Sequence, residues 1–315
     1  MISYHNYPIS HFCWLSSSYN DQQQGLVKDF YEPESLAELT ELCRQLYKED
    51  NEFLVIGHTS NLYFTPNCRI NTVVSTRKCN SFEINDNSIW CECGVSVMKL
   101  SKMMCLRGIA GFEGLVDLPG TVASSIYGNS SAFYCSINER LIECEVLLQD
   151  GSIMKLTKEQ LQLSDRDSAL KRGTINGVIL SAMLKKEISS SEQLCQTAKL
   201  NSKMRSDSLP GPAHNLGSIF RNDRKRTLLG TAIQAITKLY SIILKKENKY
   251  SSEEIRKKRL KLSMLLLGAR DLEPYVFSWN LYIWKDYNAH NMFQKFVKKH
   301  NKIYKNSSLE IEVIE

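Results

Sequence analysis

The sequence lacks most of the features that would place a chain at first sight. It has no uninterrupted run of about 18 apolar residues, so no membrane-spanning helix is expected. Its opening, MISYHNYPIS, has no basic patch leading into an apolar core, and the expectation is a cytoplasmic protein with no membrane insertion. The ten cysteines are scattered. The nearest two, Cys91 and Cys93 in CEC, have no second pair or histidine cluster at zinc-ligand spacing, so reduced thiols in strands and core are expected, and no metal. There is no three-glycine dinucleotide fingerprint and no lysine in P-loop position, so neither a Rossmann site nor an NTPase is supported. No aromatic-studded basic platform or DNA-reading motif is present, so no nucleic-acid partner is expected. Internal repeats and low-complexity tracts are also missing.

What remains is a chain of 315 residues, 43% apolar and 23% charged, long enough for two or three packed units. The net charge of +6 is uneven. Lysine and arginine are dense between Lys245 and Lys305, including IRKKRLK at Ile255–Lys261, whose surrounding apolar spacing suggests a helix. Such a face is usually just solvated, but it could also attract an anionic small molecule.

Residues 27–76 read as strand, helix, strand, strand: VKDFYEP, the amphipathic ESLAELTELCRQLYKED, EFLVIG and TVVST. From Ser81 to about Lys186 a mixed unit follows. FEINDNSIWCECGVSV alternates like strands, MKLSKMMCLRG reads as a helix, and LIECEVLLQDGSIMKLT reads as a hairpin turning at Asp150-Gly151. Beyond the polar SSSEQ the last third is mostly helical and ends in the strand-like LEIEVIE.

Two glycine-bearing segments suggest ligand contact. GFEGLVDLPGTVASSIYGN (Gly111–Asn129) places Gly114 and Gly120 around Pro119 before small and polar residues, a backbone suited to close approach by a diphosphate. FLVIGHTSNLYF runs a buried strand into Gly57, His58, Thr59, Ser60 and Asn61, exposing amides and small side chains at the strand's end. Either alone is compatible with an ordinary surface loop.

In order, the segments resemble the UDP-N-acetylenolpyruvoylglucosamine reductase (UDP-N-acetylmuramate dehydrogenase) family. IGHTSNL (Ile56–Leu62) resembles its Gly-Gly-Gly-Ser-Asn-Leu loop. GFEGLVDLPGTVASSIYGNSSA follows its Gly-x-Glu-x-Leu-x-x-x-Pro-Gly-Thr-Val element. DRDS (Asp165–Ser168) stands for Tyr-Arg-x-Ser, GSIFRN (Gly217–Asn222) for Gly-Ser-x-Phe-Lys-Asn, and LEIEV (Leu309–Val313) for the closing Leu-Glu-x-Glu-Val. The resemblance spans roughly residues 27–222 and the terminus, and the short DRDS-to-GSIF spacing looks like the family's shorter class.

The resemblance implies an α+β fold. A two-lobed FAD-binding domain of the vanillyl-alcohol oxidase (PCMH) type would occupy residues 1–192, with lobes of about 1–76 and 77–192, and a smaller α+β substrate-binding domain residues 193–315. It implies FAD as cofactor, NADPH as co-substrate and a UDP-sugar substrate. NADPH would reduce the flavin, which would then reduce the enolpyruvyl group of UDP-N-acetylglucosamine enolpyruvate to UDP-N-acetylmuramate for peptidoglycan. Gly57, His58, Thr59, Ser60, Asn61, Leu62, Pro119, Gly120, Thr121, Val122 and Asn129 would bind the cofactor. Arg166 would face the substrate carboxylate, Ser218 would protonate the enol carbon, and Glu312 would act as second acid or stabiliser. Arg205 and Asn222 would contact substrate. Read alone, Arg166 could be a surface ion pair, Ser218 a helix cap and Glu312 a solvated tail residue.

The departures fall inside the motifs. His58 and Thr59 replace two glycines, Ala123 and Ser124 replace two more, Asp165 stands at the tyrosine and Arg221 at the lysine. Residues 223–290 barely resemble the family. Two alternatives stay open: a related flavoprotein with a changed sugar or surface-polysaccharide substrate, for which His58 could be a covalent flavin attachment, and a flavin-fold protein that has lost catalysis.

Overall fold

The computed structural model describes residues 1–20, 25–210 and 214–315. They form two compact units. The first holds Met1–Phe12, Gly25–Ser60 and Arg69–Ser208; the second holds Cys13–Gln24, Asn61–Cys68 and Leu209–Glu315.

The first unit contains two sheets. In the four-stranded sheet the order is Ile2–Pro8, Leu26–Glu32, Arg69–Ser75, Leu54–Ile56, the first pair antiparallel and the rest parallel. The parallel strands are joined through the helix Leu36–Lys48, which Ser35 caps by accepting from the Glu38 amide at 3.2 Å. Leu39, Leu42, Cys43 and Leu46 recur at helical spacing on its buried face. The strand Ile2–Pro8 escapes a pattern-based reading because it is an edge strand with mostly exposed positions and no apolar alternation.

The five-stranded antiparallel sheet runs Ile153–Thr157, Leu141–Leu148, Gly177–Lys185, Ser88–Glu92, Phe82–Ile84. The expected hairpin turns at Asp150-Gly151, where Gly151 has φ +82°. The helices Val97–Leu106 and Val122–Tyr127 contribute Val97, Leu100, Met104, Val122 and Ile126 to a core shared with the sheet residues Ile89, Cys144, Val146 and Ile179. The polar SSSEQ opens a helix, Ser191–Ser208, that belongs to the first unit and packs Leu194 with Cys105 and Val116.

In the second unit the helices Leu228–Lys246, Ser252–Leu266 and Asn288–Ile303 surround an aromatic core of Phe220, Tyr282, Trp284, Phe293 and Phe296. The chain's last strand, Glu312–Ile314, pairs in parallel with Leu62–Phe64, Glu312 opposite Leu62. Among the described residues one helix, Leu228–Lys246, is long and apolar enough by length and composition to cross a membrane, with 28% of its 18-residue apolar window buried. A search for an uninterrupted apolar run misses it because Thr231, Gln234, Thr237, Lys238 and Ser241 break the run. Its buried stripe is Gly230, Ile233, Thr237, Ser241 and Leu244, so it packs against this unit along one face. The ten cysteines form no disulfide, and nine of them are buried.

Two consequences can be measured. Gly94 follows the strand Ser88–Glu92, and a Cβ there would lie 1.9 Å from the Thr76 carbonyl oxygen. Gly94→Ala should therefore destabilise the first unit by about 3 kcal/mol in denaturant titration. Burial pushes His290 and His300 down to about 4 from the ordinary 6.5. The unfolded chain takes up these protons near pH 6.5 and the folded chain only near pH 4. The stability present above pH 6.5 is thus lost as pH falls across that window, by up to about 3 kcal/mol per residue. Histidine NMR titration should show two imidazoles with midpoints near 4.

Candidate active site

The first loop begins where the strand Leu54–Ile56 ends. Gly57 is confined: a Cβ there would stand 2.7 Å from Thr121 Oγ1. Its carbonyl accepts from Arg77 Nε at 2.9 Å, and Arg77 Nη2 also donates to the Phe12 carbonyl. The His58 imidazole lies by the Gly120 backbone; burial and the nearby Arg77 charge hold its pKa below the ordinary value, so it is neutral at pH 7. Thr59 is 4% exposed and adopts φ +56°, a left-handed conformation costly for a β-branched residue. Its hydroxyl donates to the His58 carbonyl at 2.7 Å.

The second loop meets the first within the same unit. Gly120 has φ +128°, and a Cβ built there would be 3.2 Å from Ser124 Oγ and 3.8 Å from Ser60 Oγ. Pro119 before it is half-buried. Thr121 opens the helix Val122–Tyr127 with a capping box: its Oγ1 accepts from the Ser124 amide at 3.2 Å, and its own amide donates to Ser124 Oγ at 2.9 Å. The Val122 and Ala123 amides donate to the Val95 and Cys93 carbonyls. Ser124, at a glycine position of the resembled motif, thus takes up donors at the helix start.

Beyond the helix, Asn129 has φ +42° and donates from Nδ2 to the Ser164 carbonyl at 2.6 Å, while its Oδ1 is buried without a partner. Arg166, with φ +55°, donates from Nη1 to Ser131 Oγ at 3.0 Å and from Nη2 to the Ser131 carbonyl at 3.4 Å. Asp165 is exposed and makes no ion pair among the described residues, and Asp167 is taken by Arg172 at 2.6 Å. Asp165 therefore does not neutralise Arg166. Ser168 is buried, donating to the Tyr127 carbonyl at 2.7 Å and accepting from the Lys171 amide at 3.1 Å.

In the second unit, Ser218 is not a helix cap. It lies in an extended segment bridged to Leu281, half-buried, after Gly217 at φ +75°. The next residue, Ile219, donates to the Asn280 carbonyl at 3.0 Å and accepts from the Glu310 amide at 2.8 Å. Glu312 lies two residues beyond Glu310, its amide donating to the Asn61 carbonyl at 3.0 Å. Asn61 Nδ2 donates to the Glu310 carbonyl at 3.1 Å. The structure thus brings the segments of Asn61, Leu62, Ser218 and Glu312 together. Arg205 is in the first unit, in the last turn of Ser191–Ser208, where the Asp117 carboxylate acts on it. Asn222 is exposed in a turn. Arg77 and Ser131 were missed by motif reading. They brace the loops from outside the matched positions, and only Ser131's place just after Asn129 was a clue.

These residues fit an FAD diphosphate and its neighbours. Among the described residues, the amides of Gly57, His58 and Ser60 donate no backbone hydrogen bond, and the hydroxyl of Ser60 lies beside side-chain-free Gly120. Amide and hydroxyl donors around a bare backbone are what a diphosphate requires. The buried Asn129 Oδ1 is an acceptor that a ligand hydroxyl or ring N–H would satisfy.

The FAD binding domain family matches residues 28–157. The first unit is accordingly built on an FAD-binding domain, within the α+β architecture expected from sequence. The UDP-N-acetylenolpyruvoylglucosamine reductase of Caldicellulosiruptor saccharolyticus is 28% identical over 192 residues, 60% of this chain and 61% of that protein. That of Bacillus subtilis is 29% identical over 191 residues, 60% of this chain and 63% of that protein. These matches span about six-tenths of the curated relatives' length. The solved UDP-N-acetylenolpyruvylglucosamine reductase of Thermus caldophilus shares the fold at TM-score 0.69 and 17% identity, over 100% of this chain and 98% of that one. The chain is a divergent relative of the UDP-N-acetylenolpyruvoylglucosamine reductase family.

Gly120→Val should fold and lose most of its flavin, because a branched side chain opposes the φ of +128° and occupies the space toward Ser60 Oγ. Flavin absorbance per mole of purified protein measures this. Unchanged occupancy would remove the loop from the site.

Proposed function

We propose that the protein is an FAD-dependent, NADPH-driven reductase that converts the enolpyruvyl group of UDP-N-acetylglucosamine enolpyruvate to UDP-N-acetylmuramate, a step of peptidoglycan precursor synthesis. The observation that carries this reading is the meeting of Gly57–Ser60 with Gly120–Thr121 inside the FAD-binding unit, with the backbone bare where a diphosphate would lie. The kinship with the reductases supports it. When bound, the flavin supplies the hydride transfer from NADPH to the substrate double bond.

The protein's own groups do the rest. Gly57, His58, Thr59, Ser60, Pro119, Gly120, Thr121, Val122 and Asn129 hold the cofactor, with Asn61 and Leu62 continuing the first loop. Hydride addition beside a carboxylate builds enolate-like charge, which calls for a fixed cation and a proton donor. Arg166 is the cation. Its hydrogen bonds to Ser131 fix the guanidinium. Ser218 gives its hydroxyl proton to the enol carbon; its backbone is pinned at Leu281 and, through Ile219, at Asn280 and Glu310. Glu312 acts as second acid or stabiliser from a strand whose register is set by Leu62. Arg205 and Asn222 remain proposed substrate contacts of lower rank. In this reading the protein works in the cytoplasm, in keeping with ten cysteines that form no disulfide.

A second reading, a flavin fold without catalysis, is favoured by the helix-start donors already occupied by Ser124 and the Val95 and Cys93 carbonyls. A colourless protein that fails to take up added FAD would establish it.

The experiment is anaerobic reduction by NADPH followed by the enolpyruvyl UDP-sugar. Ser218→Ala should leave flavin reduction intact and slow reoxidation by the sugar roughly 100-fold or more. Glu312→Gln should remain yellow and accept electrons but turn over orders of magnitude more slowly, with Glu310→Gln near wild type. Equal rates for the two glutamate variants would remove Glu312 from the chemistry.

A further inference from the structure

The second unit contains a cavity of about 300 Å3, bounded by the helices Leu228–Lys246 and Ser252–Leu266 and the hairpin around Trp279. Four arginines line it, Arg224, Arg226, Arg256 and Arg259, and among the described residues no carboxylate does. None of the four forms an ion pair among the described residues. Gathering four like charges around one cavity without a counter-charge opposes folding. Exposed lysines on these helices are treated otherwise: Lys257 pairs with Glu253 at 2.7 Å, and Lys261 pairs with Glu273.

Three of the guanidinium groups are also held in place. Arg256 lies 4.2 Å over the Phe277 ring, and Arg224 and Arg226 lie 5.1 Å and 5.8 Å from the Tyr304 ring. Stacking occupies the flat face of a guanidinium and leaves its in-plane N–H donors for oxygen ligands. Arg224 Nη1 donates to the Phe220 and Arg221 carbonyls at 3.1 Å and 2.7 Å, while its Nε is buried without a partner. Nearby His300, stacked 3.5 Å on Phe220, is held neutral by burial and adds no charge.

We propose that this cavity binds a diphosphate group, as inorganic diphosphate or as the diphosphate of a nucleotide. A single carboxylate would leave most of the positive charge unmatched. A diphosphate supplies several negative charges and enough acceptor oxygens for bidentate contacts from more than one arginine. The volume is at the small end for ligand pockets, matching a diphosphate group rather than a whole nucleotide, whose rings would extend beyond it. The site lies in the segment that least resembles the reductases, and it does not depend on flavin binding or on the proposed reaction.

Isothermal titration of the whole protein with diphosphate, orthophosphate and UDP tests it, with flavin content measured separately so that loss of this site is distinguishable from loss of the reductase site. Saturable single-site binding of diphosphate, weaker for orthophosphate and falling steeply with salt, is expected. Arg256→Ala/Arg259→Ala should weaken it at least about 30-fold, and Lys257→Ala should not change it. Should the double variant fail to fold, Arg226→Ala, at an exposed position, should still weaken binding measurably. UDP binding tighter than diphosphate, and weakened by Arg256→Ala/Arg259→Ala, would identify a nucleotide as occupant of this cavity rather than of the reductase site, and equal binding with the same dependence would show that the diphosphate alone is read. No saturable binding at millimolar concentrations, or equal affinity in wild type and folded arginine variants, would overturn the proposal.

Discussion

The site of the first unit depends on one steric constraint: Gly57 and Thr121 are too close for any side chain at position 57. Gly57 ends a short parallel strand, and Thr121 starts a helix lying across the other sheet, so this contact fixes the spacing of two loops more than 60 residues apart in sequence. The capping box holds the helix end from within. Arg77 holds the loop from outside, with one guanidinium on the Gly57 and Phe12 carbonyls. Small residues make the approach possible, and hydrogen bonds to backbone carbonyls keep it there.

Much of this was legible because local and tertiary preferences agree. The helix Leu36–Lys48 has its cap, its apolar spacing and its flanking strands in plain sequence, and the Asp150-Gly151 hairpin carries its own turn chemistry. The signal failed where burial does not follow the pattern. The edge strand Ile2–Pro8 buries little and so shows no alternation. SSSEQ looks like a linker because its polar residues are caps and exposed helix positions, yet the helix it opens packs through Leu194. The loop motifs gave the positions of Gly57 and Gly120 but not Arg77 or Ser131, since a residue that braces a loop by hydrogen-bonding a backbone carbonyl needs no fixed spacing from it.

The helix Leu228–Lys246 inverts the usual rule. Thr237 and Ser241 face inward, their hydroxyls satisfied by the Gln234 and Lys238 carbonyls at 3.1 Å and 2.7 Å, while Leu228, Leu239 and Ile243 are 93%, 61% and 50% exposed. Small inward side chains bring the backbone close to its neighbours: a Cβ at Gly230 would stand 2.1 Å from the Ile303 carbonyl oxygen. The close packing here comes from small residues, and the apolar content of this helix is a poor guide to which of its faces is buried.

The substituted glycines need not abolish a diphosphate site, because the backbone they served is retained. Thr59 keeps the left-handed conformation that a glycine would adopt freely, at a cost of roughly 1–2 kcal/mol for an L-residue. Burial of its side chain and the hydroxyl's bond to the His58 carbonyl work against that strain. Ser124 likewise fills space left by a glycine and spends its hydroxyl on the capping box. In both places the changed side chain bonds to its own loop. The fold has therefore kept the path of the backbone while the Thr121 amide turns inward to Ser124, and under the proposed function binding would fall on the amides of Gly57, His58 and Ser60, which donate no backbone hydrogen bond among the described residues.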